Sequence, residues 1–260
     1  VVTTRTHTVK QTNIDPAFES AKAENCTLSI LREQDGLSFL VKNSTTTQLY
    51  MIGYIPSSEL SVAPFQEVQS FFPQIPNKVI MASDYRKSTL LPKALMPENL
   101  EWTSHLLGDK ANKIFTSEQL EYQAAACLTQ EEIKEENVEH NWLLQLEKMS
   151  LSNEQKIWVD LGGRTANFYA LDSKRVHMAN SLPVASKEDL LYHLGNIAEQ
   201  LKWNRETLHI EVSGVGHSAY RSFVKPYFFK VEGIKVAKYV HVSSAMNDVD
   251  IASFGALLRI

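Results

Sequence analysis

The chain has 260 residues, with 26 basic against 30 acidic side chains and a net charge of −4. That length suffices for one large domain or two lobes with buried cores, and 43% hydrophobic with 22% charged residues excludes a disordered or fibrous chain. Basic residues come at most in adjacent pairs, Arg86–Lys87 and Lys174–Arg175, too sparse for a nucleic-acid-binding face, so no nucleic-acid partner is expected.

No apolar run reaches the roughly 18–20 residues that cross a bilayer, so no membrane span is expected. Val1–Thr12 is polar and lacks the charged-then-apolar order of a secretory signal, so the cytoplasm is the expected location. Cys26 and Cys127 are far apart and the histidines stand singly. Neither a metal site nor a catalytic thiol is expected, and the two cysteines read as small buried hydrophobes.

In chain order, Thr27–Leu31 and Leu37–Val41 are apolar runs joined by Arg32–Gly36, where Asp35-Gly36 offers a hairpin turn its residue of positive φ. A third run, Leu49–Ile55, stops at Pro56. Phe65, Val68, Phe71 and Phe72 give a helical face before Pro73, and Lys78–Met81 reads as a strand ending near Asp84. Leu120–Leu128 is ambiguous between helix and strand. The acidic run Glu131–Glu139 reads as a solvated helix face or loop.

The second half repeats the order. Ile157–Val159, Asn167–Leu171 and Val176–Asn180 are strands joined by short connections. Ser186 with Asp189 forms a capping box, and Leu190, Leu194, Ile197 and Leu201 recur on one helical face. Leu208–Val212 alternates as a strand and breaks at Gly214 and Gly216. His217 or Ser218 is the expected N-cap of a short helix through Tyr220, Phe223 and Val224, ended near Pro226. A last strand is expected around Val236–Val242, and a small-residue helix at Ile251–Leu258. Two copies of strand-strand-strand-helix-strand predict an α/β protein of two mixed sheets with helices packed on them. The lobes are placed at residues 1–152 and 153–260, the second with the closing C-terminal helix.

This plan, written twice, resembles the actin-like ATPase (ribonuclease H-like) fold shared by actin, the sugar kinases and the heat-shock chaperone ATPases. Trp158–Phe168, with Asp160-Leu161-Gly162-Gly163-Arg164-Thr165, looks like the second phosphate loop of that superfamily. Ile210–Gly216 is similar to its adenosine motif, and Ala252–Leu257 to its small-residue helix near the interlobe connection. At a finer level the chain resembles a bacterial family known as domain of unknown function 3822, most clearly over Asn180-Ser181, Glu188–Tyr192 and Gln200-Leu201. That resemblance implies an actin-like fold over nearly the full length and no established activity.

Phosphate binding needs glycines that let backbone N–H groups approach, a hydroxyl donor and a strand-end carboxylate that organises Mg²⁺. The candidate nucleotide-binding residues are Asp160, Gly162, Gly163, Arg164, Thr165, Ser213 and Gly214, with Arg164 able either to pair with a phosphate or to obstruct it. In the first half the matching acid and glycine positions are expected at Ser29 and Leu31, where neither residue type occurs. The Arg32–Gly36 turn has one glycine and no hydroxyl, and Gly255 reads as a packing residue. No catalytic residue and no metal ligand is assigned. The expected function is a degenerate pseudo-ATPase that scaffolds an unidentified protein partner, with no required cofactor. The alternatives are a switch or weak ATPase that binds ATP and Mg through Asp160–Thr165, and a two-metal nuclease, for which no second and third acid are found.

Overall fold

The computed structural model describes residues 10–60, 66, 68, 76, 78–95, 101–135, 137–149, 154–173 and 175–260. Two mixed sheets dominate. In the first half, β2 (Cys26–Arg32), β3 (Gly36–Asn43) and β4 (Leu49–Pro56) form an antiparallel meander. The next strand, β5 (Lys78–Ser83), lies parallel to β2, and β9 (Val138–His140) lies parallel to β5. An outer strand, β1 (Gln11–Ile14), completes the order β1-β4-β3-β2-β5-β9.

The second half builds the same pattern. Strands β10 (Lys156–Leu161), β11 (Thr165–Leu171) and β12 (Val176–Pro183) form the meander, and β13 (His209–Gly214) and β14 (Lys230–Gly233) follow in parallel. The order is β12-β11-β10-β13-β14. Between β5 and β9 the first half inserts a small sheet of β6 (Ser88–Pro92), β8 (Tyr122–Ala126) and β7 (Lys113–Thr116). The ambiguous stretch 120–128 therefore holds a strand, Tyr122–Ala126, in which Ala124 and Ala126 face one buried cluster while Ala125 faces another.

Alternation along the strands sets the layers. Ile157, Val159, Leu161, Phe168 and Ala170 face a core shared with α2 (Lys187–Gln200) and α3 (His217–Val224). Trp158, Tyr169 and Leu171 face the other way, onto α1 (Asn141–Lys148), through Trp142, Leu146 and Met149. The Ser186 capping box of α2 is present, with Asp189 held low by two backbone N–H groups. Helix α3 starts on Gly216 in the left-handed region (φ 68°) with no side-chain cap, so His217 and Ser218 lie inside the first turn.

Other expectations change. Residues 236–242 are not a strand of the second sheet. After Gly233 the chain crosses to the first sheet, makes a 3₁₀ turn at Val236–Lys238, and meets Gln48 through His241. The apolar residues that suggested a strand pack instead, with α4 (Gly255–Leu258) and the 3₁₀ turn before it, on Leu31, Leu40 and Ile52 of the first sheet. The acidic run is not merely solvated, since Glu132 and Glu135 pair with Arg32 at 3.5 and 2.7 Å. Cys26 is buried and Cys127 half-buried. Phe65, Phe71 and Phe72 lie outside the described residues.

Gly36 opens β3 without a positive φ. Its need is space. A Cβ there would meet the Ile55 carbonyl oxygen and stand 2.5 Å from the Tyr54 hydroxyl, which itself donates to the Asp35 carbonyl at 2.8 Å. Gly36→Ala is expected to destabilise the fold by about 1–3 kcal/mol, read as a lower urea midpoint with unchanged slope.

Candidate functional site

The strand-end turns of the two meanders share one cavity, which fixes the site. Glu33 N–H donates to Gly36 O at 2.9 Å, and Gly162 N–H donates to Thr165 O at 2.8 Å, so the turns Glu33–Gly36 and Gly162–Thr165 are geometric twins. The pairing aligns their strands as well. Leu31 lies beside Ala82 as Asp160 lies beside Ser213, and Asp84 N–H meets Arg32 O as Val215 N–H meets Leu161 O. The first-half counterpart of Asp160 is therefore Leu31, and that of Gly162 is Glu33. Both stand two places beyond the expected Ser29 and Leu31, because β2 runs on through Arg32 before turning.

Of the sequence-predicted residues, Asp160, Gly162, Thr165 and Gly214 line the cavity. Ser213 lies directly behind Asp160 and donates to its Oδ1 in a short contact. Gly214 has φ 91° at the β13 exit. Arg164 is exposed at the hairpin tip, with its carbonyl accepting from Val184 N–H at 2.9 Å, and is not among the lining residues. Gly163 shares that tip and does not line the cavity either. Across the gap stand Glu33, Gln34 and Asp35, and Ser253–Ala256 close the remaining side. The cavity has a volume of about 30 Å³, room for a water molecule or two.

The decisive cation is Arg259, which sequence reasoning missed. It is fully buried, and its Nη1 lies 2.6 Å from Asp160 Oδ2 while its Nη2 lies 3.0 Å from Glu211 Oε1. Lys156 meets the other Glu211 oxygen at 2.8 Å. Burial pushes the Asp160 carboxyl up, and the Arg259 guanidinium and the Ser213 hydroxyl pull it back. At Glu211 burial acts the same way, but Arg259 and Lys156 outweigh it and hold the group below its ordinary value. Arg259 stays charged throughout. Gly255 lets this segment approach, since a Cβ there would stand 2.7 Å from Asp160 Oδ1 and overlap the Ser213 side chain.

A second carboxylate completes the floor. Asp84 accepts from Asn141 Nδ2 at 2.7 Å and Asn167 Nδ2 at 3.1 Å, which ties β5 to α1 and to β11. Gln145 extends the chain of bonds: its Nε2 donates to Asn141 Oδ1 at 3.0 Å and to Ala256 O at 2.7 Å, and its Oε1 accepts from Arg259 Nη1 at 3.4 Å. No cation pairs with Asp84 among the contacts described. Burial pushes its pKa to about 7, with Glu33 and Asp160 adding to the rise against the two carboxamides. The one signal in the sequence was its place at the end of the Lys78–Met81 strand. His140, packed among Tyr85, Phe115 and Trp142, is pushed by burial to about 3 and caps α1 as a neutral acceptor from Trp142 N–H. Among the described residues no cluster of three His, Cys, Asp or Glu side chains is arranged to hold a metal ion.

Residues 138–229 match a family described as "Protein of unknown function (DUF3822)". Among solved structures, the chain is similar to a protein of actin-like ATPase fold and unknown function from Bacteroides thetaiotaomicron VPI-5482, at 18% identity and a TM-score of 0.68, covering 92% of this chain and 97% of that one. It is also similar to a chain of the PilM–PilN type IV pilus biogenesis complex, at 12% identity and a TM-score of 0.59, covering 89% and 97%. A comparison with curated proteins finds no match. The chain thus has the actin-like ATPase fold, and the family it resembles carries no assigned function. Among the described residues no helix is long and apolar enough to cross a membrane.

Two outcomes test the site. Arg259→Met leaves Asp160 buried without its cation and is expected to cost about 3–5 kcal/mol in urea denaturation, whereas Asp160→Asn with Arg259→Met recovers at least half of that loss. Asp84 binds its proton more tightly folded (about 7) than unfolded (3.8). Its stabilising contribution is therefore full below about pH 4 and lost as pH rises through about 7. Asp84→Asn is expected to flatten stability between pH 5 and 8 and to raise the melting temperature most at the alkaline end.

Proposed function

We propose that this chain is a degenerate actin-like protein: a pseudo-ATPase, two-lobed with its boundary near residue 152, that serves as a cytoplasmic scaffold for a protein partner. The observation that carries this reading is the Arg259 guanidinium at 2.6 Å from Asp160, fully buried. A carboxylate that organises Mg²⁺ must be open to the ion and its waters, and Asp160 is bonded instead to Arg259 and Ser213. The opposing turn adds to the case. Where a phosphate would need N–H donors and small residues, it presents Glu33 beside Asp35, and like charge repels a polyphosphate.

A cavity of about 30 Å³ falls far short of the roughly 300 Å³ or more of small-molecule sites. The residues present therefore do not fit a Mg-bound nucleotide. The likeness to a chain of the PilM–PilN complex, a protein–protein assembly, supports a scaffold over an enzyme as the use of this fold. The alternative is a nucleotide-dependent switch. It draws on the shared cavity of Asp160, Gly162, Thr165 and Gly214 and requires Arg259 to leave Asp160.

Titration with millimolar Mg-ATP separates the two readings. A nucleotide at about 100 times its dissociation constant would stabilise the fold by about 2.7 kcal/mol. Neither a melting shift nor saturable heat is expected, and tagged chain is expected to recover the same protein partner whether nucleotide is supplied or removed by apyrase. Saturable Mg-ATP binding that disappears in Asp160→Asn, or a partner recovered only with ATP, overturns the pseudo-ATPase.

A further inference from the structure

The first sheet carries a second polar feature, at the end of β2 away from the cleft. Thr27 pairs with Lys42 on β3 and with Lys78 on β5, so the three side chains form one row on one face of the sheet. It is the face that carries Leu40 and Ile80 one step further along, beneath the closing segment. Helix α1 crosses that face with Leu144 packed on the same core, and Lys148 follows one turn later on the same stripe. Sheet register and helix period thus bring Lys42, Lys78 and Lys148 to one corner by independent routes.

Electrostatics agrees with the geometry. Lys42 is half-buried, and its pKa is lowered first by burial and then by the charges of Lys148 and Lys78. Among the described residues none of the three forms an ion pair, although Arg32, Lys156 and Arg259 elsewhere each do. A cation at a helix C-terminus explains Lys148 through the helix dipole. It does not explain a half-buried Lys42 facing two like charges in a chain whose net charge is −4.

We infer that Lys42, Lys78 and Lys148 form a docking corner for an acidic peptide segment of a partner protein, an inference that rests on the scaffold reading. Lys78 and Lys148 are exposed, so the corner opens to solvent and does not enclose a small anion. Lys42 and Lys78 stand on strands separated by β2, a span of about 9–10 Å at the backbone. Alternate carboxylates of an extended peptide share one side about 7 Å apart and, with the flexible lysine stems, bridge that span, which one small anion does not. The hydroxyls of Thr27 and Ser44 are bonded to each other at 2.8 Å, which leaves one hydroxyl hydrogen of the pair beside the lysines as a further donor.

Fluorescence anisotropy of a labelled oligoglutamate peptide against the full chain tests this surface at two salt concentrations. Saturable binding is expected at low salt, weakening as salt rises. Reversal of the two exposed charges, Lys78→Glu with Lys148→Glu, is expected to lower affinity by about tenfold or more, and both positions are exposed enough to leave the fold intact. Lys235→Glu, an exposed charge change elsewhere, should leave binding within about twofold. Absence of binding, or equal loss in Lys235→Glu, overturns the corner. So does tighter binding of a labelled oligonucleotide of matched charge, which would mark a nucleic-acid surface. Mg-ATP titration of the same preparations keeps the two readings apart, because a silent titration beside a failed peptide experiment removes only the docking corner.

Discussion

The structure depends on a buried cation from one end of the chain meeting a carboxylate at the centre of the second sheet. Arg259 rides on a segment whose apolar residues pack on the first sheet, while its guanidinium lies against Asp160 and Glu211 of the second. An ion pair in such a place leans on the bonds around it, because removing water from both charges offsets much of their attraction. Ser213, Gln145 and Lys156 supply further bonds, while the buried Arg259 Nε has no hydrogen-bond partner among the described contacts. The same chain of contacts runs on through Asn141 to Asp84 and Asn167. Position at the cavity is thereby linked across β5, α1, β10, β11 and the closing segment, so a shift in one of them disturbs a buried charge or amide held by another.

The two halves keep the same hairpin geometry and differ in chemistry. Equivalent turns close with equivalent backbone bonds, yet each half brings its acid from a different strand. The second half places Asp160 on its central strand and Val215 after its neighbour. The first half places Leu31 centrally and Asp84 after the neighbour. The swap puts both carboxylates on the floor of one small cavity while only one of them faces a cation. The consequence is a division of labour. Burial raises both carboxyls: at Asp160 the Arg259 guanidinium pulls the rise back, whereas Asp84, met by two carboxamides and by no cation among the described contacts, is pushed to about 7.

How far this was legible follows from range. The repeated meander, the capping box at Ser186 and the α3 stretch declare themselves within a few residues, where strand and helix periods and turn chemistry act. The 236–242 misreading came from apolar alternation that packs across onto the other sheet, a destination that periodicity does not encode. Glu132 and Glu135 looked solvated because their partner, Arg32, lies about a hundred positions earlier in the chain. Arg259 had no local signature at all: it follows Leu257-Leu258 like any basic residue after an apolar helix. Its role exists only once Gly255 has let the segment against Ser213. Arg164 was the natural suspect for an obstructing cation by sequence proximity, and the hairpin aims it outward instead.

A cleft filled in this way changes what the fold can offer. In a nucleotide-driven machine of this architecture the lobes need a ligand whose binding energy differs between open and closed arrangements. Here the closing segment sets the Arg259 guanidinium against Asp160 and Glu211, a charge that does not titrate. The arrangement is held by the chain itself, and the proposed scaffold role places recognition outside this cavity. The surface with unmatched charge lies at the far end of the same central strand, where Lys42 and Lys78 flank Thr27. One strand then joins the two features: its turn end packs against the second half of the chain, and its other end carries the proposed docking corner.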